Sequence, residues 1–490
     1  MKFASLLARE ANWQIMLHGA RLTAEDLRAR LRAARRALGA LEPHLLGRGC
    51  LIAVGFSGFD YFLFTLLAST LGCRIVLCDP KMLSAALRQY RLDALAVVAT
   101  RSIACDGLPV VVLDPALAEA EAEASGPDAF AWADAGAPRA QIVFMTSGTT
   151  SAPKLVVYDE AQLVENALAV GRYLGVQPGD GVLCMFPTHY MYGFSTMMNG
   201  LLAGATVWLE RASLTAHEVL GYLGSGRIRF VPLIRSIAER VCDLAEVTPG
   251  MRFDGIVVLN ASDRIYAAQV RRLLALGACV WNNFGQTESG PRIFALPLTP
   301  DDLPHVDSYC FEGVLAPGRP IDPRIELSIV DAQGRPCAPG EPGHLLYRTP
   351  YAMHGYLLPD GSLRRFTTLE SGDLVFRRDD GVVFWVGRRD ETVKCNGRLI
   401  NVSLLHQHFD AFDDIAKSYF LADPQTGALT VFVVPGLAPA GADVDFKARI
   451  LSRYRAAFPL YPRIADVQFV DDLPVTSTGK ISLRLLRESA

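Results

Sequence analysis

A run of small hydroxyl residues beside a lysine is the first feature of this chain that could do chemistry. Residues 145–154 read Met-Thr-Ser-Gly-Thr-Thr-Ser-Ala-Pro-Lys and follow an apolar, strand-like run at 141–145. Glycine lets a backbone approach an anion closely, amides and hydroxyls donate to phosphate oxygens, and Lys154 adds positive charge. The run predicts a phosphate-binding loop, with ATP as the first candidate ligand. The candidate contacts are Thr146, Ser147, Gly148, Thr149, Thr150 and Lys154.

The loop alone leaves another interpretation open. Its spacing differs from GxxxxGK[ST], which argues against a P-loop NTPase. Clusters of serine and threonine also mark ordinary surface turns. The choice between a phosphate loop and a surface turn therefore depends on the rest of the chain.

Four further motifs follow in order. They are Asn283-Phe-Gly-Gln-Thr-Glu288, Ser371-Gly-Asp373, Gly387-Arg-Arg-Asp390 with Lys394 and Gly397 after it, and Ser477-Thr-Gly-Lys480. In order and spacing, the five segments resemble the adenylate-forming superfamily of AMP-dependent synthetases and ligases. This superfamily contains acyl- and aryl-CoA ligases, adenylation domains of nonribosomal peptide synthetases, and firefly luciferase. The resemblance covers nearly the whole chain.

The resemblance implies a two-step reaction and assigns residues to the first step. A carboxylate is joined to the α-phosphate of ATP with release of pyrophosphate, and the acyl group then passes from AMP to a thiol. Lys480 corresponds to the lysine that bridges the carboxylate and the α-phosphate, although by itself it would be an ordinary tail lysine. Thr287 corresponds to a contact of the α-phosphate. Glu288 corresponds to the ligand of magnesium, a cation that needs oxygen donors.

The nucleotide site is implied in the same way. Asn283, Phe284 and Gly285 belong to it, and Phe284 replaces the usual tyrosine, so stacking on adenine is retained while a hydroxyl is lost. Asp373 corresponds to the aspartate that accepts hydrogen bonds from the ribose hydroxyls, and Arg388 to a second ribose contact. Alone, Asp373 would be an ordinary turn residue, and the order of the motifs favours the functional interpretation.

The thiol half of the reaction depends on the C-terminal part. Asp390 corresponds to the hinge about which the small domain rotates between the two steps. Lys394 and Gly397 then approach the site on the thiol and pantetheine side. This chain departs from the family at Ser151, usually glycine, and at Asn401-Val-Ser-Leu404, where proline and glutamate are usual. The second departure concerns the surface used in the thioester step and leaves adenylation untouched.

The segment Pro187-Thr-His-Tyr-Met-Tyr-Gly193 resembles the acid pocket of carboxylate-CoA ligases, where a histidine at the position of His189 borders the carboxylate. A lone histidine among aromatic residues is otherwise structural. Amino-acid-activating relatives place an aspartate near here, and 193–196 has none, although Asp263 could still reach an amino group. Aromatic and hydrogen-bonding residues suit an aryl or medium-sized acyl acid. The further pocket candidates are Tyr190, Tyr192, Gly193, Phe194, Ser236, Asn260 and Ser262.

The elements that position these residues follow an α/β rhythm. A helix is predicted over 23–41, with Thr23 and Asp26 as a capping box. Strands are predicted at 51–54, 74–78 and 110–113, then at 182–186, 206–210, 230–232, 255–259 and 279–283, with helices between. Ligands of open α/β sheets bind at the carboxyl ends of strands, so the phosphate loop and the Glu288 motif should converge.

The later part of the chain changes character. Residues 325–385 predict a small β subdomain, and the tail predicts strands at 429–434 and 467–470 and a helix at 443–457. The predicted fold class is α/β: a large N-terminal domain of two α/β sheet subdomains plus a β subdomain, followed by a small mobile α+β C-terminal domain. We expect the ATP- and acid-binding domain at 1–386 and the domain with the catalytic lysine at 387–490.

Composition excludes several other classes of protein. The chain has 490 residues, 50% hydrophobic and 20% charged, which is enough for two or three structural units. A net charge of −3 gives no electrostatic reason to bind nucleic acid. The sequence shows neither a signal peptide nor an apolar run of membrane-spanning length, so we expect a cytoplasmic protein without a membrane partner. Its ten cysteines form no CxxC pair.

The sequence therefore predicts an AMP-forming acid–thiol ligase that uses ATP, magnesium and coenzyme A. The alternative is a stand-alone adenylation enzyme that loads an aryl or acyl acid onto the phosphopantetheine of a separate acyl or peptidyl carrier protein. A third interpretation, a non-catalytic acyl-adenylate-binding pseudo-enzyme, is disfavoured by the retained motif residues. The identity of the acid and the oligomeric state stay open.

Overall fold

The computed structural model describes most of the chain and divides it into two compact units. The described residues are 2–8, 13–17, 19–47, 49–105, 107–113, 139–146, 154–210, 214–261, 263–389, 392–395, 398–409, 412–422, 429–436, 443–459 and 461–473. The first unit contains Met1–Ser328, Leu346–Leu369 and Arg377–Phe384, and the second contains Ile329–Leu345, Glu370–Phe376 and Trp385–Ala490. The functional boundary at residue 387 stays a prediction.

The helices begin at capping residues. The helix Ala24–Leu38 starts after Thr23, whose hydroxyl accepts from the Asp26 amide while the Asp26 carboxylate accepts from the Thr23 amide (3.2 and 2.6 Å). This capping box is as predicted. The helices of the described residues are Ser5–Ala8, Ala24–Leu38, Glu42–Leu45, Gly58–Leu71, Leu83–Gln89, Glu160–Leu174, Met191–Ala203, Ala216–Gly224, Arg235–Val247, Ala267–Ala275, Val402–Phe409 and Asp443–Ala457, with 3-10 helices at Gly39–Leu41, Pro80–Met82 and Pro300–Tyr309. None of them is long and apolar enough to cross a bilayer.

The strands are numbered in chain order. The first group is β1 (Gln14–Leu17), β2 (Ala20–Leu22), β3 (Cys50–Val54), β4 (Arg74–Cys78), β5 (Ala96–Ala99), β6 (Val110–Val112), β7 (Gln141–Thr146), β8 (Lys154–Asp159), β9 (Gly181–Cys184), β10 (Thr206–Leu209), β11 (Phe230–Pro232), β12 (Val257–Asn260), β13 (Cys279–Gln286), β14 (Gly290–Leu298), β15 (Cys310–Phe311), β16 (Val314–Leu315) and β17 (Arg319–Pro320). The second is β18 (Glu326–Val330), β19 (Gly343–Arg348), β20 (Gly355–Leu357), β21 (Leu363–Arg364), β22 (Leu369–Arg377), β23 (Val383–Arg388), β24 (Thr392–Cys395), β25 (Arg398–Asn401), β26 (Ile415–Ala422), β27 (Leu429–Pro435) and β28 (Ile464–Phe469).

An eight-stranded sheet holds the predicted phosphate loop. Its described order is β21-β20-β8-β7-β4-β3-β5-β6. Strands β7, β4, β3, β5 and β6 run parallel to one another. The pairs β7–β8, β8–β20 and β20–β21 are antiparallel. The central strands β3, β4 and β5 are almost entirely buried, as expected for a parallel sheet with both faces covered. The parallel α/β prediction for this region is confirmed.

A nine-stranded sheet of described strands carries the Glu288 motif. Its order is β17-β14-β13-β12-β11-β9-β10-β1-β2, parallel from β13 to β1 and antiparallel at both ends. The predicted strand at 279–283 continues to Gln286 and turns back into β14. The motif is therefore a β-hairpin rather than a loop beyond a strand that ends at Asn283. The extension comes from pairing with β14, which the residues of β13 alone do not reveal.

The later β-rich region is only partly as predicted. Strands β18, β19, β22 and β23 form a four-stranded sheet within the predicted region 325–385. Strands β20 and β21 lie in the same region of sequence, yet β20 pairs with β8 and extends the eight-stranded sheet. The prediction of a separate β subdomain was wrong for these two strands, which bring Tyr356 opposite Val156.

The second unit has a core of its own. Strands β26, β27 and β28 form a three-stranded sheet whose core includes Phe409, Phe420, Val431, Ile450 and Tyr454. The predicted helix 443–457 is confirmed, and the predicted strands at 429–434 and 467–470 match β27 and, with a shift toward the N-terminus, β28.

Candidate active site

The predicted phosphate loop connects β7 and β8. Thr146 ends β7, Lys154 begins β8, and the two residues are direct partners across the antiparallel pair. Thr146 is half-buried and Lys154 is exposed. The loop candidates Ser147, Gly148, Thr149 and Thr150 lie outside the described residues. The residues that flank the predicted loop are therefore neighbours, which suits a loop that binds an anion.

Thr287 and Glu288 lie in the tight turn of the β13–β14 hairpin. The register shifts between Phe284 and Gln286, which marks a bulge just before the turn. A Cβ at Gly285 would lie 2.5 Å from the carbonyl oxygen of Pro291, so this position has no room for a side chain. Gly285 therefore lets the two strands approach each other, and the bulge directs the turn that carries Glu288.

Tyr158 ties this turn to the eight-stranded sheet. Its side chain is fully buried, its hydroxyl donates to the carbonyl oxygen of Thr287 at 2.6 Å, and it accepts from the amide of Gly290 at 2.9 Å. Tyr158 belongs to β8, the strand that begins at Lys154. One strand thus leaves the phosphate loop and holds the Glu288 turn, which agrees with the expected convergence of the two motifs.

Two more tyrosines contact the turn. The Tyr347 hydroxyl donates to Oε1 of Gln286 at 2.8 Å, and the Tyr356 hydroxyl donates to Oε1 of Glu288 at 2.7 Å. The ammonium of Lys154 lies 5.3 Å from the centroid of the Tyr356 ring. Burial raises the pKa of Tyr356, and the neighbouring Glu288 carboxylate raises it further, so this phenol stays protonated. Tyr356 therefore links two residues that the sequence assigned to different motifs.

Sequence reasoning missed all three tyrosines. Tyr158 shares one strand face with Lys154 because the two positions are four residues apart along β8. That periodicity was visible in the sequence. The contact of Tyr356 depends on the pairing of β8 with β20, about two hundred residues later, and no local pattern predicts that pairing.

The chemistry of Glu288 suits a hard divalent cation. It is half-buried, and among the described residues its second oxygen, Oε2, accepts no hydrogen bond. The described part of the chain contains no group of three His, Cys, Asp or Glu side chains that could hold a metal ion. A single carboxylate such as Glu288 suits magnesium sites in which one or two carboxylates act with substrate phosphates.

The nucleotide-site candidates Asn283 and Phe284 differ in how far their side chains are available to a ligand. Asn283 is buried, and its side-chain amide donates to the carbonyl oxygens of Trp281 at 2.9 Å and Asn260 at 3.2 Å. Phe284 is half-buried and packs edge-on against Phe294, with ring centroids 5.7 Å apart. Asn283 thus braces the strand, whereas Phe284 retains partly exposed ring surface suited to stacking.

His189 is buried beside Asp79. Its Nε2 lies 3.5 Å from Oδ2 of Asp79, too far for a good hydrogen bond, and its ring packs against Tyr61 and Tyr190 with centroids 4.6 and 4.2 Å away. Burial lowers the pKa of His189 more than Asp79 raises it, so the ring is neutral at physiological pH. A cavity of about 650 Å³ adjoins it. The lining includes Tyr61, Asp79, Lys81, Arg101, Phe186 and His189.

The hydroxyl of Tyr192 is already engaged. It donates to the carbonyl oxygen of Leu259 at 2.7 Å, so the residue can offer only its ring to a ligand. The guanidinium carbon of Arg292 lies 5.2 Å from the centroid of that ring, and its Nη2 donates to Thr196 at 2.7 Å. Arg292 is fully buried, and burial lowers its pKa. Sequence reasoning did not single out Arg292.

Close packing within the fold explains the presence of Gly193 and Phe194. A Cβ at Gly193 would lie 2.5 Å from the carbonyl oxygen of Pro187 and 2.6 Å from that of Phe186, so glycine is required by close packing. Phe194 is buried and packs edge-on against Phe144, with centroids 5.2 Å apart. Tyr190, in contrast, is among the exposed large hydrophobic side chains. Their role in a substrate pocket stays a prediction.

The other pocket candidates differ from one another. Ser236 is exposed at the start of the helix Arg235–Val247. Asn260 is fully buried, and its amide donates to Oδ1 of Asn282 at 2.7 Å and to the carbonyl oxygen of Asp263 at 3.0 Å. Ser262 lies outside the described residues. Asn260 therefore anchors the end of β12.

The second unit brings Asp373 and Arg388 together. Asp373 is 3% exposed, and its Oδ1 accepts from Nε1 of Trp385 at 3.1 Å and from Nη1 of Arg388 at 3.4 Å. Arg388 also donates to the carbonyl oxygen of Ser371 at 3.1 Å. Burial raises the pKa of Asp373, while Arg388 and Trp385 oppose that shift. The two ribose candidates thus form one group.

The remaining candidates belong to the C-terminal part of the chain. Lys480, Asp390 and Gly397 lie outside the described residues. Lys394 is a residue of β24, where its backbone pairs with Leu399 of β25. The lysine assigned to catalysis and the residues assigned to the hinge and the thiol side therefore remain predictions from the sequence.

Comparison with known protein families shows which family the chain belongs to. The family described as AMP-binding enzyme matches residues 69–357, more than half of the chain. The chain belongs to this family. The matched residues of this AMP-binding enzyme include the β7–β8 hairpin, the β13–β14 turn and Tyr356, which together make up the arrangement described above.

Two curated relatives show the range of similar sequences. The chain is 28% identical over 377 residues to a 2-hydroxy-7-methoxy-5-methyl-1-naphthoate–CoA ligase of Streptomyces carzinostaticus, covering 73% of this chain and 64% of that protein. It is 27% identical over 375 residues to a salicyl-AMP ligase/salicyl-S-ArCP synthetase of Mycobacterium tuberculosis, covering 72% and 61%. The chain thus spans less than two thirds of the length of these relatives.

Comparison with solved structures confirms the fold class. An O-succinylbenzoate coenzyme A synthetase from Bacillus subtilis, in complex with AMP, superimposes with a TM-score of 0.75 and 17% sequence identity. The match covers 98% of this chain and 96% of that chain. At this identity the comparison establishes the shared α/β fold.

Proposed function

We propose that this protein uses ATP to convert a carboxylic acid into an acyl-adenylate and then transfers the acyl group to the thiol of coenzyme A. The observation that carries the proposal is the Glu288 turn, which strand β8 connects to the phosphate-loop hairpin through Tyr158. Membership of the AMP-binding enzyme family supports the use of the turn for nucleotide chemistry.

In the first step, a carboxylate oxygen of the acid attacks the α-phosphorus of ATP and the bond to pyrophosphate breaks. Thr287 and Lys480 would stabilise negative charge at the α-phosphate, because positioned donors and cations act most strongly where charge develops. Glu288 fits a magnesium ion held jointly with phosphate oxygens, which when bound neutralises charge on ATP. Asp373 and Arg388 would hold the ribose.

In the second step, the thiol sulfur attacks the acyl carbon and AMP leaves. The cavity beside His189 supports coenzyme A as the acceptor. Its exposed charged residues are Lys81 and Arg101, whereas Asp79 and Glu210 are half-buried. Two exposed cations suit the phosphates of coenzyme A. In the first step, neutral His189 would border the substrate carboxylate as a hydrogen-bonding group without adding charge.

The acid is proposed to be aromatic or a medium-sized acyl acid. The naphthoate–CoA ligase and the salicyl-AMP ligase among the relatives carry aryl acids in their names, which supports the aromatic class. The exposed ring of Tyr190, whose centroid lies 4.2 Å from that of His189, supplies aromatic surface there.

A separate carrier protein is the second candidate acceptor. The name of the Mycobacterium tuberculosis relative includes the transfer of salicyl to a carrier protein, which favours this alternative. Both acceptors present the same phosphopantetheine thiol, so the first half-reaction is the same in either case. The two candidates differ in whether free coenzyme A is sufficient.

A panel of benzoates, cinnamates, fatty acids and amino acids tests the proposal. Pyrophosphate release is measured with each acid, first without a thiol acceptor and then with coenzyme A, and products are identified by mass. Release that coenzyme A stimulates, with an acyl-CoA product, is the expected result. Release without acyl-CoA would favour a carrier protein, and silence with every acid would contradict the proposed function.

A further inference from the structure

We propose that Tyr356 is a positioning residue for Glu288, the magnesium ligand of the proposed function, on which this inference rests. Its hydroxyl holds Oε1 of the carboxylate, which leaves Oε2 for the cation. Its ring holds Lys154 away from the carboxylate. Tyr356 would thereby set the metal affinity of the site without touching the substrate.

The segment that carries Tyr356 restrains Glu288 at two points. The Tyr356 hydroxyl donates to Oε1 at 2.7 Å, and the amide of Met353 donates to the carbonyl oxygen of Glu288 at 2.8 Å. A free glutamate samples many rotamers, and a ligand held by an outer hydrogen bond is already oriented before the metal binds. Side chain and backbone of Glu288 are therefore fixed by the same short segment.

The position of Tyr356 follows from the sheet register. Tyr356 is the direct partner of Val156 across the antiparallel β8–β20 pair. Side chains of direct partners share a face, as do residues two apart on one strand, so Tyr356 stands between Lys154 and Tyr158. One strand face thus carries the lysine of the phosphate hairpin and both tyrosines that contact residues 287 and 288.

Lys154 contributes through its place over the ring. Its ammonium lies 5.3 Å from the centroid of Tyr356, within the distance at which a cation is attracted to an aromatic face. A lysine bound directly to Glu288 would neutralise the carboxylate and compete with a divalent cation. The tyrosine contacts the lysine through its ring and the carboxylate through its hydroxyl, and no ion pair of the described residues joins Lys154 to Glu288.

Tyr347 offers a matched control because it makes a similar contact without reaching the carboxylate. Its hydroxyl donates to Gln286, two residues before Glu288, and its side chain is buried. If the tyrosines only stabilise the hairpin, removing either hydroxyl should have the same effect on metal binding. If Tyr356 orients the carboxylate, only the loss of the Tyr356 hydroxyl should weaken metal binding.

The test compares Tyr356→Phe with Tyr347→Phe in the full-length protein. Binding of Mn²⁺ in the presence of α,β-methylene-ATP is followed by electron paramagnetic resonance, a readout independent of turnover. We expect Tyr356→Phe to weaken Mn²⁺ binding by about 10- to 100-fold, the usual cost of losing an outer-shell partner. We expect Tyr347→Phe to stay within about two-fold of wild type, since it does not touch the carboxylate.

Two further variants make the result decisive. In a Glu288→Gln background, Tyr356→Phe should cause no additional loss of Mn²⁺ affinity. Replacing Tyr356 with 4-aminophenylalanine, which retains a donor at the end of the ring, should restore affinity toward wild type even if the phenylalanine variant folds poorly. Wild-type affinity in Tyr356→Phe, or equal losses in both tyrosine variants, would overturn the inference. Unchanged affinity in Glu288→Gln would instead reject the metal site of the proposed function.

Discussion

Glu288 and Asp373 are the two carboxylates assigned to nucleotide binding, and their surroundings differ. Glu288 is half-buried at a hairpin turn and is contacted by a neutral phenol, whereas Asp373 is 3% exposed and lies beside the cationic Arg388. A phenol orients a carboxylate without supplying a positive charge that would compete with a divalent cation. Arg388 partly offsets the cost of burying the Asp373 carboxylate, and such a pair suits neutral ribose hydroxyls.

The comparison indicates that the charge of a side chain in contact with a carboxylate determines which ligands that carboxylate can bind. A guanidinium beside Glu288 would compete with magnesium, and a lone phenol beside the buried Asp373 would leave its charge poorly compensated. The difference can be tested by removing each charge in turn.

Glu288→Gln should have the largest effect. Loss of the anionic ligand should raise the magnesium concentration for half-maximal pyrophosphate release by at least about 100-fold, the upper end of the range for outer-shell partners. The KM for ATP at saturating magnesium should change less. A magnesium titration that matches wild type would remove Glu288 from the metal site.

Asp373→Asn should affect the nucleotide instead of the metal. Hydrogen bonds to a charged group contribute about 1.5–3 kcal/mol, so the KM for ATP should rise by about 10- to 100-fold. Magnesium titrations at saturating ATP should overlay those of wild type. If the variant altered the magnesium requirement and left the KM for ATP unchanged, the assigned roles of the two carboxylates would be reversed.

Tyr158→Phe should weaken the fold around the turn. The change leaves the Thr287 carbonyl and the Gly290 amide without their partner, and we expect the free energy of unfolding to fall by about 1–3 kcal/mol. Urea unfolding followed by circular dichroism measures this. Tyr173→Phe is the matched control, because among the described residues its hydroxyl forms no hydrogen bond while its ring packs against Trp281. Equal losses in both variants would contradict the role of Tyr158.

The smallest effect concerns pH and Asp373. Burial raises its pKa, so the folded state holds this proton more tightly than the unfolded state, and ionisation costs stability as pH rises between the two values. Asp373→Asn lacks this cost and leaves the facing cation Arg388 in place. As pH rises through that range, the unfolding free energy of wild type should therefore fall relative to that of Asp373→Asn, and the difference should then level off. A difference that moved in favour of wild type would show a lowered pKa.

Local patterns predicted much of the fold. The capping box of Thr23 and Asp26, the strand β4 and the helix Asp443–Ala457 follow from neighbouring residues, and all were predicted correctly. Strand β13 was predicted too short because its last residues are held by β14. Strands β20 and β21 were assigned to the wrong group because their partner β8 is distant in sequence.

The candidate site shows the same division. The motifs single out Glu288, Asp373 and Arg388 as candidates, since charged side chains at fixed spacing are visible in a sequence, and their roles stay predictions. They could not identify Tyr356, whose contact depends on sheet register, or Asp79, which approaches His189 only in the folded chain. Sequence motifs thus point to charged candidate residues more readily than to the neighbours that contact them in the fold.

Acid-dependent exchange of labelled pyrophosphate into ATP, with no thiol present, tests the central claim most directly. The account predicts exchange that requires both a carboxylic acid and a divalent cation, that is lost in Glu288→Gln at low magnesium, and that persists there at high magnesium. Binding of ATP without exchange for any acid, under conditions where the protein is folded, would contradict the account.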